Sequence, residues 1–121
     1  MHKVFALLEV INRDRRYNPE AYSFVMAGLD FTSKKLKRQG HVTGQELLRG
    51  IKEYSLEQFG PMTRMVFEYW GIKETGDFGE IVFNMIDAGL LGKTEHDSKE
   101  DFSNAYDFKT VFDKGFKYTI H

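Results

Sequence analysis

The stretch from residue 41 to residue 51 carries the clearest helix start in the chain, and it constrains the fold more than any other feature. Thr43 and Glu46 have the spacing of a capping box, in which each side chain accepts a hydrogen bond from the backbone N–H of the other residue. Val42 and Leu47 flank this cap at the spacing of a hydrophobic staple. These signals predict that a central helix begins directly after Thr43.

The residues after this start recur at helical spacing, which predicts that one face of the helix is buried. That face consists of Leu47, Leu48, Ile51, Ser55 and Phe59. Gly60 suits the left-handed position that closes a helix, and Pro61 suits the first turn of the next one.

Five further stretches have apolar residues at helical spacing, which predicts five more helices. Their inward faces are expected to be Val4, Leu7, Leu8 and Ile11; Tyr22, Val25, Met26 and Leu29; Met62, Met65, Val66, Tyr69 and Trp70; Phe78, Ile81, Val82, Met85 and Ile86; and Phe102, Ala105 and Tyr106.

Cap residues place the starts of three of these helices. Asn18-Pro19 is a cap followed by a proline in the first turn, and Asp77 is the predicted cap of the fifth helix. Either Asp97 or Ser98 caps the sixth. Gly28 within the second helix indicates either a close approach of another backbone or a weak point.

The sequence therefore predicts one all-α domain over residues 1–121, a compact bundle of about six short helices. The order of the middle helices also resembles a winged-helix unit. Two structures stay open for the tail. Residues 111–120 form either a small hairpin around the turn at 113–115, or a short helix followed by an extended end.

Composition excludes several classes of function. The 121 residues contain no Cys, which excludes disulfides and thiolate ligands and fits a reducing cytoplasm. A formal net charge of −1 gives no broad basic field for nucleic acid. Glu9 interrupts the apolar run near the N-terminus, and no apolar stretch approaches the roughly 18 residues that span a bilayer. We expect a cytoplasmic protein without a signal peptide or a membrane partner.

Several stretches resemble a family of small bacterial proteins that carries no assigned function. They are Asp14–Tyr17, Ala21-Tyr22, Phe24, His41–Leu48, Gly50-Ile51, Gln58–Met62, Trp70-Gly71, Asp77–Phe83, Lys93-Thr94, Asp97-Ser98, Glu100–Phe102 and Tyr106–Phe108. Together they cover most of the chain from about residue 10 to residue 112. The resemblance implies no activity, because no chemistry is attached to the family and the shared stretches are largely caps, helix ends and packing faces.

Two motifs match known sites only in part. The stretch from Asp87 to Thr94 ends like a phosphate-binding P-loop, but it has Asp87 in place of a glycine and a predicted helix in place of a strand. We favour a helix stop at Gly89. In a winged-helix unit, the helix that starts near Asp77 would contact DNA, but it carries no Lys or Arg before Leu90, so phosphates would repel it.

An acidic cluster around His96 offers hard ligands for a divalent ion. It consists of Glu95, Asp97, Glu100 and Asp101. The sequence has no second His at metal spacing there and no EF-hand order, so a capped helix start with surface acids is the favoured interpretation. We predict no metal, no cofactor and no catalytic residue.

The polar or amphipathic residues at predicted helix ends are the candidate ligand-binding residues, because sites are usually built at loop ends. They are Arg16, Tyr17, His41, Trp70 and Asp77. If these ends meet at one rim, Arg16 can bind an anion and His41 can exchange protons near neutral pH. We favour a structural alternative, with Trp70 in the core, Asp77 as a cap and Arg16 bridging helix ends.

Three hypotheses for function follow. The leading one is a non-enzymatic interaction domain that binds another protein or itself, because many aromatic residues occur without an assembled catalytic constellation. The second is a small-molecule-binding or hydrolytic site at a rim of Arg16, His41 and Asp77. The third is nucleic-acid binding through the basic run from Lys34 to Arg38, although the overall composition does not favour it.

We predict that Thr43→Ala lowers the free energy of unfolding by about 1 kcal/mol, because the backbone N–H of Glu46 loses its acceptor. Chemical denaturation measures this difference. An unchanged unfolding midpoint would contradict the helix start at Thr43.

Overall fold

The computed structural model describes residues 2–38, 40–92 and 98–114, with side chains for 5–38, 40–92 and 98–113. Five α-helices account for most of these residues: α1 His2–Arg13, α2 Pro19–Lys35, α3 Gly44–Phe59, α4 Thr63–Tyr69 and α5 Thr75–Asp87. Shorter helical turns are Gly60–Met62 and Lys99–Phe102, both of 3-10 type, and Lys109–Lys114, of π type. No strand occurs within these ranges, which confirms the all-α prediction.

The sixth predicted helix is only a short turn. Ser98, one of the two predicted caps, begins it, and its side chain accepts from the N–H of Glu100 at 3.1 Å, but the turn ends at Phe102. In the tail, Val111-Phe112 lies in the π-helical turn, which matches the helical alternative. The residues that would complete a hairpin, 115–121, lie outside the described part of the chain.

The predicted caps of α2 and α3 are confirmed. Asn18 accepts a hydrogen bond from the N–H of Glu20 at 2.8 Å. The capping box of α3 is complete, because the Thr43 hydroxyl accepts from the Glu46 N–H at 3.1 Å and the Glu46 carboxylate accepts from the Thr43 N–H at 3.0 Å. Both helices therefore begin where local sequence alone places them.

Asp77 is not the cap of α5, so that prediction was wrong. The helix begins three residues earlier than predicted, at Thr75, and Asp77 lies in its first turn. The Asp77 carboxylate accepts from the backbone N–H groups of Lys73 at 2.8 Å and Glu74 at 3.1 Å. Buried Thr75 donates its hydroxyl to the carbonyl of Phe102 at 2.5 Å, a distant contact that fixes this earlier start.

The end of α5 is a Schellman motif, as the glycine signal predicts. Gly89 has φ +77°, and its N–H donates to Ile86 at 3.0 Å, while the N–H of Leu90 donates to Met85 at 2.8 Å. A helix therefore precedes this glycine where a P-loop requires a strand. Lys93 and Thr94, and the segment where a winged-helix unit has its wing, lie outside the described residues.

Helices α2 and α3 pack together through a pair of glycines. A Cβ atom at Gly28 would lie 3.1 Å from Ile51 on α3, and a Cβ atom at Gly50 would overlap the side chain of Thr32 on α2. Thr32 is buried and donates its hydroxyl to the Gly28 carbonyl at 2.7 Å. The space at Gly28 is thus taken by the side chain of Ile51 instead of by the backbone that was predicted there, and Gly50 in turn leaves room for Thr32.

The centre of the core is the ring of Phe67, on α4, which is fully buried. Its ring centroid lies 5.2–6.3 Å from those of Phe24, Trp70, Phe78, Phe108 and Phe112. These rings come from α2, α5, the end of α4 and the C-terminal turn. One side chain therefore joins α2, α4, α5 and the C-terminal turn.

The predicted inward face of α4 was largely wrong. Met62, Met65 and Tyr69 have exposed fractions of 52%, 63% and 77%, whereas the buried residues of the helix are Thr63 and Phe67. Apolar residues occupy nearly every side of this segment, so spacing alone does not select the face that is buried. Leu8 on α1 and Met26 on α2 were also assigned inward, and they are 50% and 42% exposed.

We predict that Gly50→Ala destabilises the protein by about 2 kcal/mol, because the added methyl group overpacks the contact with Thr32. Helix propensity alone predicts the opposite, a gain of about 0.5–1 kcal/mol, so the sign of the change is diagnostic. Urea denaturation measures it. Gly92→Ala is the control, because a Cβ atom there has no neighbour within 4 Å. Equal effects of the two substitutions would contradict the close helix approach.

Candidate functional site

A polar network connects the turn between α1 and α2 with α5. It contains three of the five candidate residues, Arg16, Tyr17 and Asp77. Tyr17 lies in this turn and is only 3% exposed. Its hydroxyl donates to the Asp77 carboxylate at 2.5 Å. Because Asp77 also accepts from two backbone N–H groups at the start of α5, Tyr17 is fixed to that helix start.

Arg16 is bound by two carboxylates. Its guanidinium donates to Asp14 through Nε at 2.9 Å and Nη2 at 2.7 Å, and to Glu80 on α5 at 3.0 Å. Lys99 also donates to Glu80, at 3.3 Å. The local charges therefore balance as two cations and two anions, which leaves no excess positive charge for an anionic ligand.

Asp14 extends this network into the protein. The amide of Asn84 on α5 donates to the Asp14 carboxylate at 2.8 Å and to the hydroxyl of Tyr22 on α2 at 3.1 Å. Tyr22 is 1% exposed, so this end of the network lies in the core. We call Asp14, Arg16, Glu80 and Asn84 the clamp, because they join α1 to the middle of α5.

The electrostatics of the clamp stabilise fixed protonation states. Hydrogen bonds from Arg16 hold the pKa of Asp14 well below its ordinary value, and those from Arg16 and Lys99 lower the pKa of Glu80. Burial, with the hydrogen bond to Asp77, raises the pKa of Tyr17. Among the described residues, no buried side-chain polar atom lacks a hydrogen-bond partner. This arrangement suits a structural connection better than acid–base chemistry near neutral pH.

The five candidate residues do not all line one concavity. Arg16, Tyr17 and Trp70 line a concavity of about 510 Å³, and Asp77 adjoins it through Tyr17. His41 lines a separate, apolar cavity of about 380 Å³. Trp70 is 7% exposed and packs in the core, as the structural interpretation expects. A rim formed by Arg16, His41 and Asp77 therefore has little geometric support.

The basic run at the end of α2 is largely paired with acids. Lys34 lies 2.9 Å from Asp30, Lys35 lies 2.5 Å from Glu53, and Arg38 lies 2.7 Å from Glu46. The last of these pairs, together with the backbone N–H of Thr43, lowers the pKa of Glu46 to about 2. Ion pairing reduces the positive field that phosphate binding requires.

The described part of the chain contains no group of three or more His, Cys, Asp or Glu side chains placed to hold a metal ion. His96 and its neighbours Glu95 and Asp97 lie outside that part, so the cluster around them is not described. None of the described helices is both long and apolar enough to cross a membrane.

Comparison with known proteins gives no match to a protein-family model, to a curated protein or to a solved structure. The resemblance to small bacterial proteins of unassigned function therefore stays a prediction.

Sequence reasoning missed two features of the surface. Asp14, Glu80 and Asn84 were not selected, because their partners are more than 60 residues apart and no local motif joins them. The outward face of α4, formed by Met62, Met65 and Tyr69, was assigned to the core. The sequence did contain a signal for this exposed face. The α4 segment has apolar residues on two sides, and a short helix can bury only one of them in its own core.

We predict that Asp14→Asn lowers the free energy of unfolding at neutral pH by on the order of 1 kcal/mol, because the clamp loses its central charge. The pKa of Asp14 is lowered in the folded protein, so the folded state binds fewer protons than the unfolded chain in acid. The stabilisation is therefore complete above about pH 5 and is lost as pH falls below about 3.9.

Chemical denaturation of wild type and of Asp14→Asn between pH 2 and pH 7, in roughly unit steps, tests this pH dependence. Asp87→Asn, at an exposed aspartate near the end of α5, is the matched control and should change stability little at any pH. A difference between wild type and Asp14→Asn that stays constant from pH 7 to about pH 2 would contradict the clamp.

Proposed function

We propose that this protein is a non-enzymatic interaction domain that associates with a second copy of itself through an apolar surface centred on α4. The observation that carries the proposal is the exposure of Met62, Met65 and Tyr69, at 52%, 63% and 77%, on one side of that helix. Large apolar side chains grouped on a surface are typical of interaction sites. Flexible methionines also adapt readily to a facing surface.

Exposed apolar side chains also lie on α1. Asn12 of α1 lines the same concavity as Tyr69 of α4, so these two elements adjoin. Leu8 and Phe5 precede Asn12 by about one and two turns on the same side of α1, and they are 50% and 62% exposed. We propose that both helices contribute to the interface, because a stable interface needs more area than α4 alone offers.

The charges around this surface favour a second copy as the partner. Arg15 and Glu68 both line the concavity beside Tyr69, so the rim carries both signs of charge. A two-fold interface brings identical patches together, and a rim of mixed sign can pair with itself. The formal net charge of −1 adds little repulsion between copies.

The two other hypotheses have weaker support. A ligand site at Arg16, His41 and Asp77 requires residues that line different cavities, and the charge of Arg16 is already balanced. Nucleic-acid binding through Lys34 to Arg38 requires a positive field that nearby acids reduce. Neither has an observation comparable to the exposed face of α4.

We predict that Met65→Lys weakens self-association at least about tenfold, because a lysine ammonium would be desolvated at the centre of the interface. Light scattering coupled to size exclusion, over a wide range of protein concentration, measures the mass. Wild type should approach twice the monomer mass as concentration rises, whereas the variant should stay monomeric. Met65 is exposed in the monomer, so its unfolding transition should be nearly unchanged.

Gln45→Lys, at an exposed position on α3, is the matched control and should associate like wild type. A wild-type protein that stays monomeric at every concentration, or a Met65→Lys variant that associates as strongly as Gln45→Lys, would overturn the proposal.

A further inference from the structure

An apolar cavity of about 380 Å³ lies between α2, the start of α3 and the second half of α5. Its main apolar wall residues are Leu29, Leu47, Val82, Phe83, Ile86 and Phe102. The volume is roughly two and a half times that of a 150 Å³ apolar cavity that accommodates benzene. It also falls within the usual range of small-molecule sites, about 300–1,000 Å³.

One wall of the cavity is held rigidly. Phe102 is 3% exposed and is wedged between two helices that both present glycine to it. A Cβ atom at Gly44 on α3 or at Gly79 on α5 would lie 2.9 Å from the Phe102 side chain. Because both backbones contact this ring so closely, its position has little freedom. The Phe102 wall of the cavity is therefore preformed.

The mouth of the cavity is polar and lies next to cationic side chains. His41 and Gly40 lie on its lining, and Gly40 also lines an adjoining concavity with Lys34, Lys37 and Arg38. Two acids lie within reach of these cations, because Asp30 pairs with Lys34 and Glu46 pairs with Arg38. Counted over the described residues alone, three cations face two anions here, an excess of one positive charge.

We infer that this cavity binds an amphiphilic carboxylate, with its apolar tail against Val82 and Phe102 and its carboxylate at the mouth near His41 and Lys37. The apolar wall supplies most of the affinity, because the walls are aliphatic and aromatic. The cationic side supplies the orientation and a preference for an anionic head group. This site is separate from the exposed face of α4, so it does not depend on the proposed self-association.

Titration with sodium decanoate, decanol and decyltrimethylammonium tests the inference by calorimetry and amide NMR, with the two ionic probes kept below their micelle concentrations and decanol below its solubility limit. Decanoate should bind saturably, a few fold more tightly than decanol, with decyltrimethylammonium the weakest. The advantage of decanoate over decanol should shrink as salt is added. The amide signals of Val82 and Phe83 should shift, and that of Met65 should not.

Two pairs of variants locate the site. Val82→Phe fills the cavity and should lower decanoate affinity at least tenfold, whereas the matched Val66→Phe on α4 should not. Lys37→Gln should lower decanoate affinity about threefold and leave decanol unchanged, while Lys73→Gln changes neither. Met65→Lys should bind decanoate like wild type, which separates this cavity from the α4 surface.

The absence of saturable decanoate binding overturns the inference. Amide NMR shifts that centre on Met65 instead of Val82 overturn it as well. Equal affinities for the three probes overturn the assignment of a carboxylate. If Val82→Phe does not fold, the NMR shifts and the Lys37 pair decide the question alone.

Discussion

The packing of aromatic rings around Phe67 is the interaction on which the rest of the structure depends. Phe67 is fully buried and contacts rings from α2, α5 and the C-terminal turn, including Phe24, Phe78 and Phe112. Short helices gain little stability from their own hydrogen bonds and depend on such burial. Helix α4 is a single short helix of seven residues, and Phe67 points from it into the core. The opposite side of the helix therefore faces outward. The exposed methionines are therefore a consequence of how the core is centred.

Local signals in the sequence predicted the helix boundaries well. The caps at Asn18 and Thr43, and the Schellman end at Gly89, depend on neighbours within a few residues, so a single sequence contains them. The start of α5 was misplaced because Thr75 makes a buried contact with Phe102, 27 residues away. The inward side of α4 was misassigned because hydrophobic spacing does not say which of two apolar sides meets the core.

The candidate site could be predicted only in part, for the same reason. Tyr17 and Asp77 were both selected, and they form a hydrogen bond across 60 residues of sequence, although nothing in the sequence pairs them. His41 was grouped with them because it also lies at a helix end, yet it lines a cavity elsewhere. Which helix ends meet depends on how all the helices pack. That information lies in contacts such as those of Gly50 with Thr32, which no motif records.

The clamp also has a consequence for how the chain acquires its structure during synthesis. Helix α1 packs chiefly on α5, and Asp14 is joined to Asn84 across 70 residues. The contacts of α1 with α5 therefore cannot form until α5 has left the ribosome. Helices α2 and α3, which contact each other directly, can pair earlier. Although α1 is made before α2 and α3, its docking onto α5 thus comes after those two helices can already pair.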